Sequence, residues 1–133
     1  MNRHVNLATL TSEQLVERFA DIGVAQDDAL LGNEISRYNA LYKDKVAVEV
    51  ELRSRLGDQR RLLMMLYGHP NMQVRLNAAK STRAIDMRQA RALLEEIAAS
   101  KWGPQAGDAG MSLWAMDEGI TVIDAHLPPN GEA

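Results

Sequence analysis

The sequence contains no cysteine, which excludes disulfide frameworks, thiolate zinc sites, iron–sulfur clusters and a cysteine nucleophile together. Aromatic residues make up only 5% of the chain. Any core is therefore filled by Leu, Val, Ile, Met and Ala, a palette that favours packed helices over β-sandwiches. No apolar run approaches the length of a membrane span, and Met1 to Leu10 lacks the apolar centre of a signal peptide, so a soluble, cytoplasmic protein with no membrane partner is expected. Histidine is scarce: His4, His69 and His126 stand alone, with no His-x-x-x-His or Glu-x-x-His to put two ligands on one helical face. No metal, no cofactor and no catalytic motif is expected.

What is present is globular. The 133 residues are 46% hydrophobic and 25% charged, which suits one domain with a core of ordinary size. The net charge of −3 is unevenly spread. Residues 1–52 carry five Lys/Arg against nine Asp/Glu, residues 53–101 ten against four, and residues 102–133 none against five. Acidic flanking helices that pack beside a basic middle would produce this pattern. So would a basic face offered to an acidic partner.

Helical periodicity runs through nearly the whole chain. Thr11 with Gln14 makes a capping box, followed by a stripe of Leu15, Phe19, Ile22, Gln26 and Leu30, with Gly32-Asn33 as the stop. A second helix is expected from Glu34 to Leu56. Within it "VAVEVEL" (46–52) alternates like a strand, but no turn signal isolates it and a lone strand would leave its hydrogen bonds unmade. An apolar helix follows through "RRLLMMLYG", then a Gly68-His69-Pro70 break, then a helix capped by Asn71. Asp86 with Gln89 starts another, Gly103-Pro104 is its expected stop, and a last helix is expected from about Asp108 to Glu118. The expected layout is a flexible lead (1–10), a single helical domain (11–120) and a tail (121–133) whose "LPPNGEA" is expected to fray.

Residues 62–79, "LLMMLYGHPNMQVRLNAA", have a distinctive order: a Leu-rich helix, a Pro turn at Pro70, the cap Asn71, then Val74-Arg75 and Ala78-Ala79. Val74 is placed to fill a helix–helix seam, Ala78 and Ala79 to let two axes approach closely, and Arg75 at the helix edge to reach acidic or carbonyl groups. This order resembles the helix–turn–helix unit of HEAT and armadillo-like repeats. The resemblance implies an all-α fold of about six helices in antiparallel hairpins, wound as a right-handed α-α superhelix. Residues 92–116 repeat the logic, and the interval from Pro70 to Pro104 fits a two-helix repeat. The chain is also similar to a small bacterial family of helical-repeat proteins of unassigned function, on the strength of "LVERFADIG" (15–23), "HPNMQVRLNAAK" (69–80) and "PQAGDAGMSL" (104–113). That resemblance implies no catalytic residues.

Other apparent motifs have structural explanations. The acid pairs Asp27/Asp28, Glu49/Glu51 and Glu95/Glu96 diverge on a helix. "GPQAGDAG" lacks Gly-Lys-Ser/Thr and a preceding strand, so it is no phosphate loop, and Ser112 sits in no nucleophile elbow. Trp102 and Trp114 are expected to seal a core edge. The remaining concentration is basic, and Arg60, Arg61, Arg75, Lys80 and Arg83 are the candidate partner-binding residues. Nucleic acid is disfavoured because Tyr67 is the lone aromatic in that stretch before Trp102 and the sequence pI is about 5.6. A protein with an acidic surface is the expected partner, since Arg pairs bidentately with carboxylates. The expected function is a non-catalytic protein–protein interaction module, by analogy extending to a toxin-neutralising or regulatory partner. The alternatives are a nucleic-acid binder or an enzyme whose site assembles from distant residues.

Overall fold

The computed structural model describes residues 6–121, so His4, His126, the first five residues of the expected lead and the expected tail from 122 onward lie outside the described residues. Within that span every element is helical. Five α-helices run as α1 (Ser12–Leu31), α2 (Ile35–Ser54), α3 (Met72–Ser81), α4 (Met87–Ala99) and α5 (Gly103–Asp117), with 3₁₀ helices at Leu7–Thr9 and Gln59–Leu66.

The first helix begins on the expected capping box, Thr11 accepting from the Gln14 amide and Gln14 returning a bond to the Thr11 N–H. These bonds satisfy donors that a helix start otherwise leaves open. Its stripe goes into the core: Leu15, Phe19, Ile22 and Gln26 are buried, and in the last turn Ala29 takes the fully buried place while the expected Leu30 is half-buried. After a short turn through Asn33, α2 packs back against α1. The segment 46–52 is helical throughout. Its alternation feeds two faces of one helix, with Val48 and Leu52 fully buried in the core while Val50 is 58% exposed.

The stretch expected as a third α-helix is instead a 3₁₀ helix. A three-residue period sets Arg60, Leu63 and Leu66 in one line, and Arg60 and Leu63 are buried with Leu66 packed at the core margin. Asp58, in a left-handed conformation at φ 48°, is held there by its neighbour: Arg60 grips its carboxylate through Nε at 2.9 Å and a terminal nitrogen at 2.6 Å.

Next, α3 occupies the centre, touching α1, α4, α5 and the 3₁₀ helix. Asn71 caps it by accepting from the Gln73 and Val74 amides at 2.9 and 3.2 Å. Replacing Asn71 with alanine is expected to cost about 1 kcal/mol, read as a lower urea midpoint; an unchanged midpoint would show the cap to be idle. Val74, Ala78 and Ala79 are fully buried as expected. Val74 packs closely against Gly23 of α1. Ala78 joins the core of α1, α2 and Leu63, and Ala79 joins a second cluster with Leu76, Leu93, Leu94, Ile97 and Ala109. Small residues on two sides of one helix thus let it serve both cores.

Asp86 and Gln89 start α4 as expected, bonded through both backbone and side chain. The last helix begins earlier than expected. Gly103-Pro104 does not merely end α4; Pro104 opens the first turn of α5, where its missing N–H has no intrahelical partner to lose. Asp108 is consequently inside α5, bonded to Lys80 of α3 at 3.0 Å, and not a cap. Trp102 and Trp114, expected in the core, are 61% and 53% exposed. The inward positions of this helix go to Gln105 and Ala109, which leaves Trp114 on the opposite face. No described helix is long and apolar enough to cross a membrane.

Candidate functional site

The two-faced character of α2 creates the site. Core packing uses Val48 and Leu52, so the remaining residues of the same turns, Tyr42, Lys45, Val46, Glu49, Val50 and Arg53, line a cleft whose other wall comes from Arg60 and from Lys80, Ser81, Arg83 and Ala84 at the end of α3. Its volume is about 340 Å³. Five of these residues are cationic and one is acidic.

The floor is organised around Lys45, only 7% exposed. Its ammonium lies 3.5 Å from the Glu49 carboxylate and 4.8 Å from the centre of the Tyr42 ring. Burial pushes the Lys45 pKa down; Glu49 opposes that shift and the nearby Lys80 charge adds to it. The Ser81 hydroxyl donates to the other Glu49 oxygen. The acidic side chain of the lining is therefore held from both walls, by Lys45 on α2 and by Ser81 on α3, and the space above it is bordered by cations.

The rim is braced by further bonds. Lys80 bonds to Asp108 of α5, Arg83 Nε donates to the Lys80 carbonyl at 3.0 Å, and Arg60 holds Asp58. One side of the cleft is apolar, since Tyr42, Val46 and Val50 repeat every four residues and form a ridge along α2. Tyr42 is 50% exposed.

Of the residues singled out from the sequence, Arg60, Lys80 and Arg83 come together here. Arg61 and Arg75 do not. Arg61 points outward from the 3₁₀ helix. Arg75 folds back onto its own turn, where Nε donates to the His69 carbonyl at 2.5 Å, and His69 accepts from the Asn71 amide. Arg75 thus stabilises the Pro70 turn through this bond. The acid pairs diverge as expected: Asp27 meets Asn71 and Gln105 while Asp28 meets Arg37, and Glu49 meets Lys45 while Glu51 meets Arg55.

The sequence reading did not select Lys45, Tyr42, Val46, Val50 and Ser81 as site residues. The signal for four of them was the unexplained alternation of "VAVEVEL" and the tyrosine and lysine just before it. Too many apolar positions for one core face implied a second apolar face. Ser81 had no signal, because its role arises only where the end of α3 crosses α2.

A family model described as a domain of unknown function (DUF2019) matches residues 13–117. The crystal structure of the protein RPA1889 from Rhodopseudomonas palustris CGA009 is similar to this chain at 50% sequence identity, covering 90% of this chain and 99% of its own, with a TM-score of 0.87. No curated protein matches.

Proposed function

The chain belongs to the DUF2019 family of domains of unknown function, and from that premise we propose that it is a non-catalytic protein-interaction module that receives an acidic segment of a partner protein in the cleft between α2 and the end of α3. The observation that carries the reading is the convergence of Lys45, Arg53, Arg60, Lys80 and Arg83 on one opening. Such a concentration attracts anionic groups and speeds their encounter, and arginine forks suit carboxylates. The Glu49 side chain is held by Lys45 and Ser81, which suits a fixed floor. Within this proposal the stacked hairpins act as a rigid HEAT-like scaffold, and the toxin-neutralising or regulatory role is one setting in which such a module works.

The test is a capture experiment with the tagged full chain and the Arg53→Glu/Arg83→Glu variant in the same cell extract, with circular dichroism confirming that both are folded. Proteins retained by the unaltered chain are expected to be lost with the variant, and to fall away at about 0.5 M salt, where screening reaches only a few ångströms. Identical protein sets from both baits, unaffected by salt, would overturn the reading.

A further inference from the structure

The outer side of α5 has no place in either core. The inward positions of the helix belong to Gln105 and Ala109, while Trp102, Met111 and Trp114 are 61%, 64% and 53% exposed. Between residues 102 and 116 the sole charged side chain is Asp108, and it is paired with Lys80 of α3. Asp117, at the end of the helix, is paired with Arg91 of α4. The outer face is therefore apolar and uncharged from Trp102 to Trp114, over about 18 Å. Its three large side chains, with the exposed Gly103 and Pro104, present on the order of 500 Å². Two such faces closed on each other bury about 1,000 Å², the size at which a specific interface begins.

The charges at the two ends of this face point to its occupant. Lys101 lies just before α5 and Glu118 caps its C-terminus; both are exposed and neither has an ion-pair partner among the described residues. The end of α4 accommodates Lys101, but Glu118 stands at the negative end of α5, where a carboxylate is disfavoured. An antiparallel copy of the same helix would bring its positive end and its Lys101 to that carboxylate. From this arrangement we infer that the outer face of α5 is a homodimer interface, with α5 packed antiparallel on α5. Trp102, Met111 and Trp114 form its apolar body, and Lys101 of each copy meets Glu118 of the other. A two-fold pair sets residue i against j and j against i, so a face that is apolar along its length and oppositely charged at its ends is complementary to itself. A parallel pair would set like charges together, and a strongly acidic or strongly basic partner would meet the wrong charge at one end. The cleft discussed above has no lining residue on α5, so this inference goes beyond the acidic-partner reading and does not depend on it.

Sedimentation equilibrium of the full chain tests it, with circular dichroism showing that each variant is folded. The unaltered chain is expected to pass from monomer to dimer mass as its concentration rises. Trp114→Ser is expected to raise the dimer dissociation constant at least tenfold, the scale of one large apolar side chain no longer buried. Met111→Glu, at a second exposed position, is expected to act in the same direction by placing like charges within the interface. Lys101→Glu and Glu118→Lys are each expected to weaken the dimer about fivefold, since each sets like charges together at both symmetric ends. The double variant Lys101→Glu/Glu118→Lys is expected to recover the original affinity, and an equimolar mixture of the two single variants to associate more tightly than either alone. Monomer mass at every concentration would overturn the inference. A dimer indifferent to Trp114→Ser and Met111→Glu would overturn it by placing the contact on another surface, and failure of the double variant to recover would overturn the antiparallel pairing. A chain that stays monomeric while retaining a different protein through Trp114 would also overturn it, by giving the face to another occupant.

Discussion

Replacing Gly23 with leucine is expected to destabilise the protein by about 3 kcal/mol, lowering the melting temperature by roughly 10 °C for a domain of this size. Gly23 lies inside α1, where glycine costs about 1 kcal/mol relative to alanine, so its presence asks for a reason. A Cβ built at this position would stand 2.8 Å from Val74 Cγ2 and 3.1 Å from Val74 Cα. Neither atom yields easily, because one belongs to a stiff β-branched side chain in a helix and the other to backbone. The α1–α3 crossing therefore depends on the missing side chain. Gly107 supplies the control, since a Cβ there meets nothing within 4 Å. Gly107→Ala is expected to raise stability by about 0.5–1 kcal/mol through helix propensity alone. Thermal unfolding followed by circular dichroism reads both, and a Gly23→Leu variant that melts with the unaltered protein would show that the close crossing carries no weight.

The second large effect belongs to a chain of buried amides between α1, α3 and α5. Asn77 donates to the Gln26 side-chain oxygen at 2.7 Å and accepts from Gln73 at 3.0 Å. Gln105 of α5 donates to Gln73 at 2.9 Å and to Asp27 at 3.1 Å, and Asp27 also accepts from Asn71. Gln26, Gln73, Asn77 and Gln105 are all buried, and Gln26 Nε2 has no hydrogen-bond partner among the described residues. Asn77→Leu removes the central link and strands the Gln26 oxygen and the Gln73 amide in a dry interior. Since each such group costs roughly 1–3 kcal/mol, a loss of about 3 kcal/mol is expected in urea unfolding. Adding Gln26→Leu is expected to return about 1 kcal/mol, because one stranded group disappears with its partner. Strict additivity of the two substitutions would show that the amides act independently and that the chain is not a unit.

Much of the fold was legible in the residues. The boundaries of α1 and the starts of α3 and α4 followed from Thr11/Gln14, Asn71 and Asp86/Gln89, because capping is a local exchange between one side chain and the next turn's amides. The burial of Val74, Ala78 and Ala79 followed from residue size and spacing. The misplacements have equally physical origins. Gly-Pro reads as a stop, but proline suits the first turn of a helix as well as the space after one. A short apolar run such as residues 62–67 suits α and 3₁₀ helices alike, and only the shared line of Arg60, Leu63 and Leu66 marks a period of three. The two tryptophans were assigned to the core by composition, whereas the inward side of α5 belongs to Gln105 and Ala109.

For the site the division is sharper. The basic middle of the chain was evident, yet only Arg60, Lys80 and Arg83 of the five selected cations share the cleft. Arg75 has the expected edge position and spends it on the His69 carbonyl six residues back, a bond no spacing rule distinguishes from a bond to a neighbour. Gln26 had announced itself as the one polar member of an apolar stripe. Its partners are 51 residues away at Asn77 and, through Gln73, on α5.

By itself the amino-acid order determined that the chain is helical, where most helices begin, and which small residues face inward, since these rest on contacts within a turn or two of backbone. Only the tertiary structure decided which cations meet, that the alternating stretch of α2 serves a core and a cleft at once, and that four amides form one buried line. Those outcomes depend on crossings between helices distant in sequence, where one absent Cβ at Gly23 sets the distance at which α1 and α3 pass.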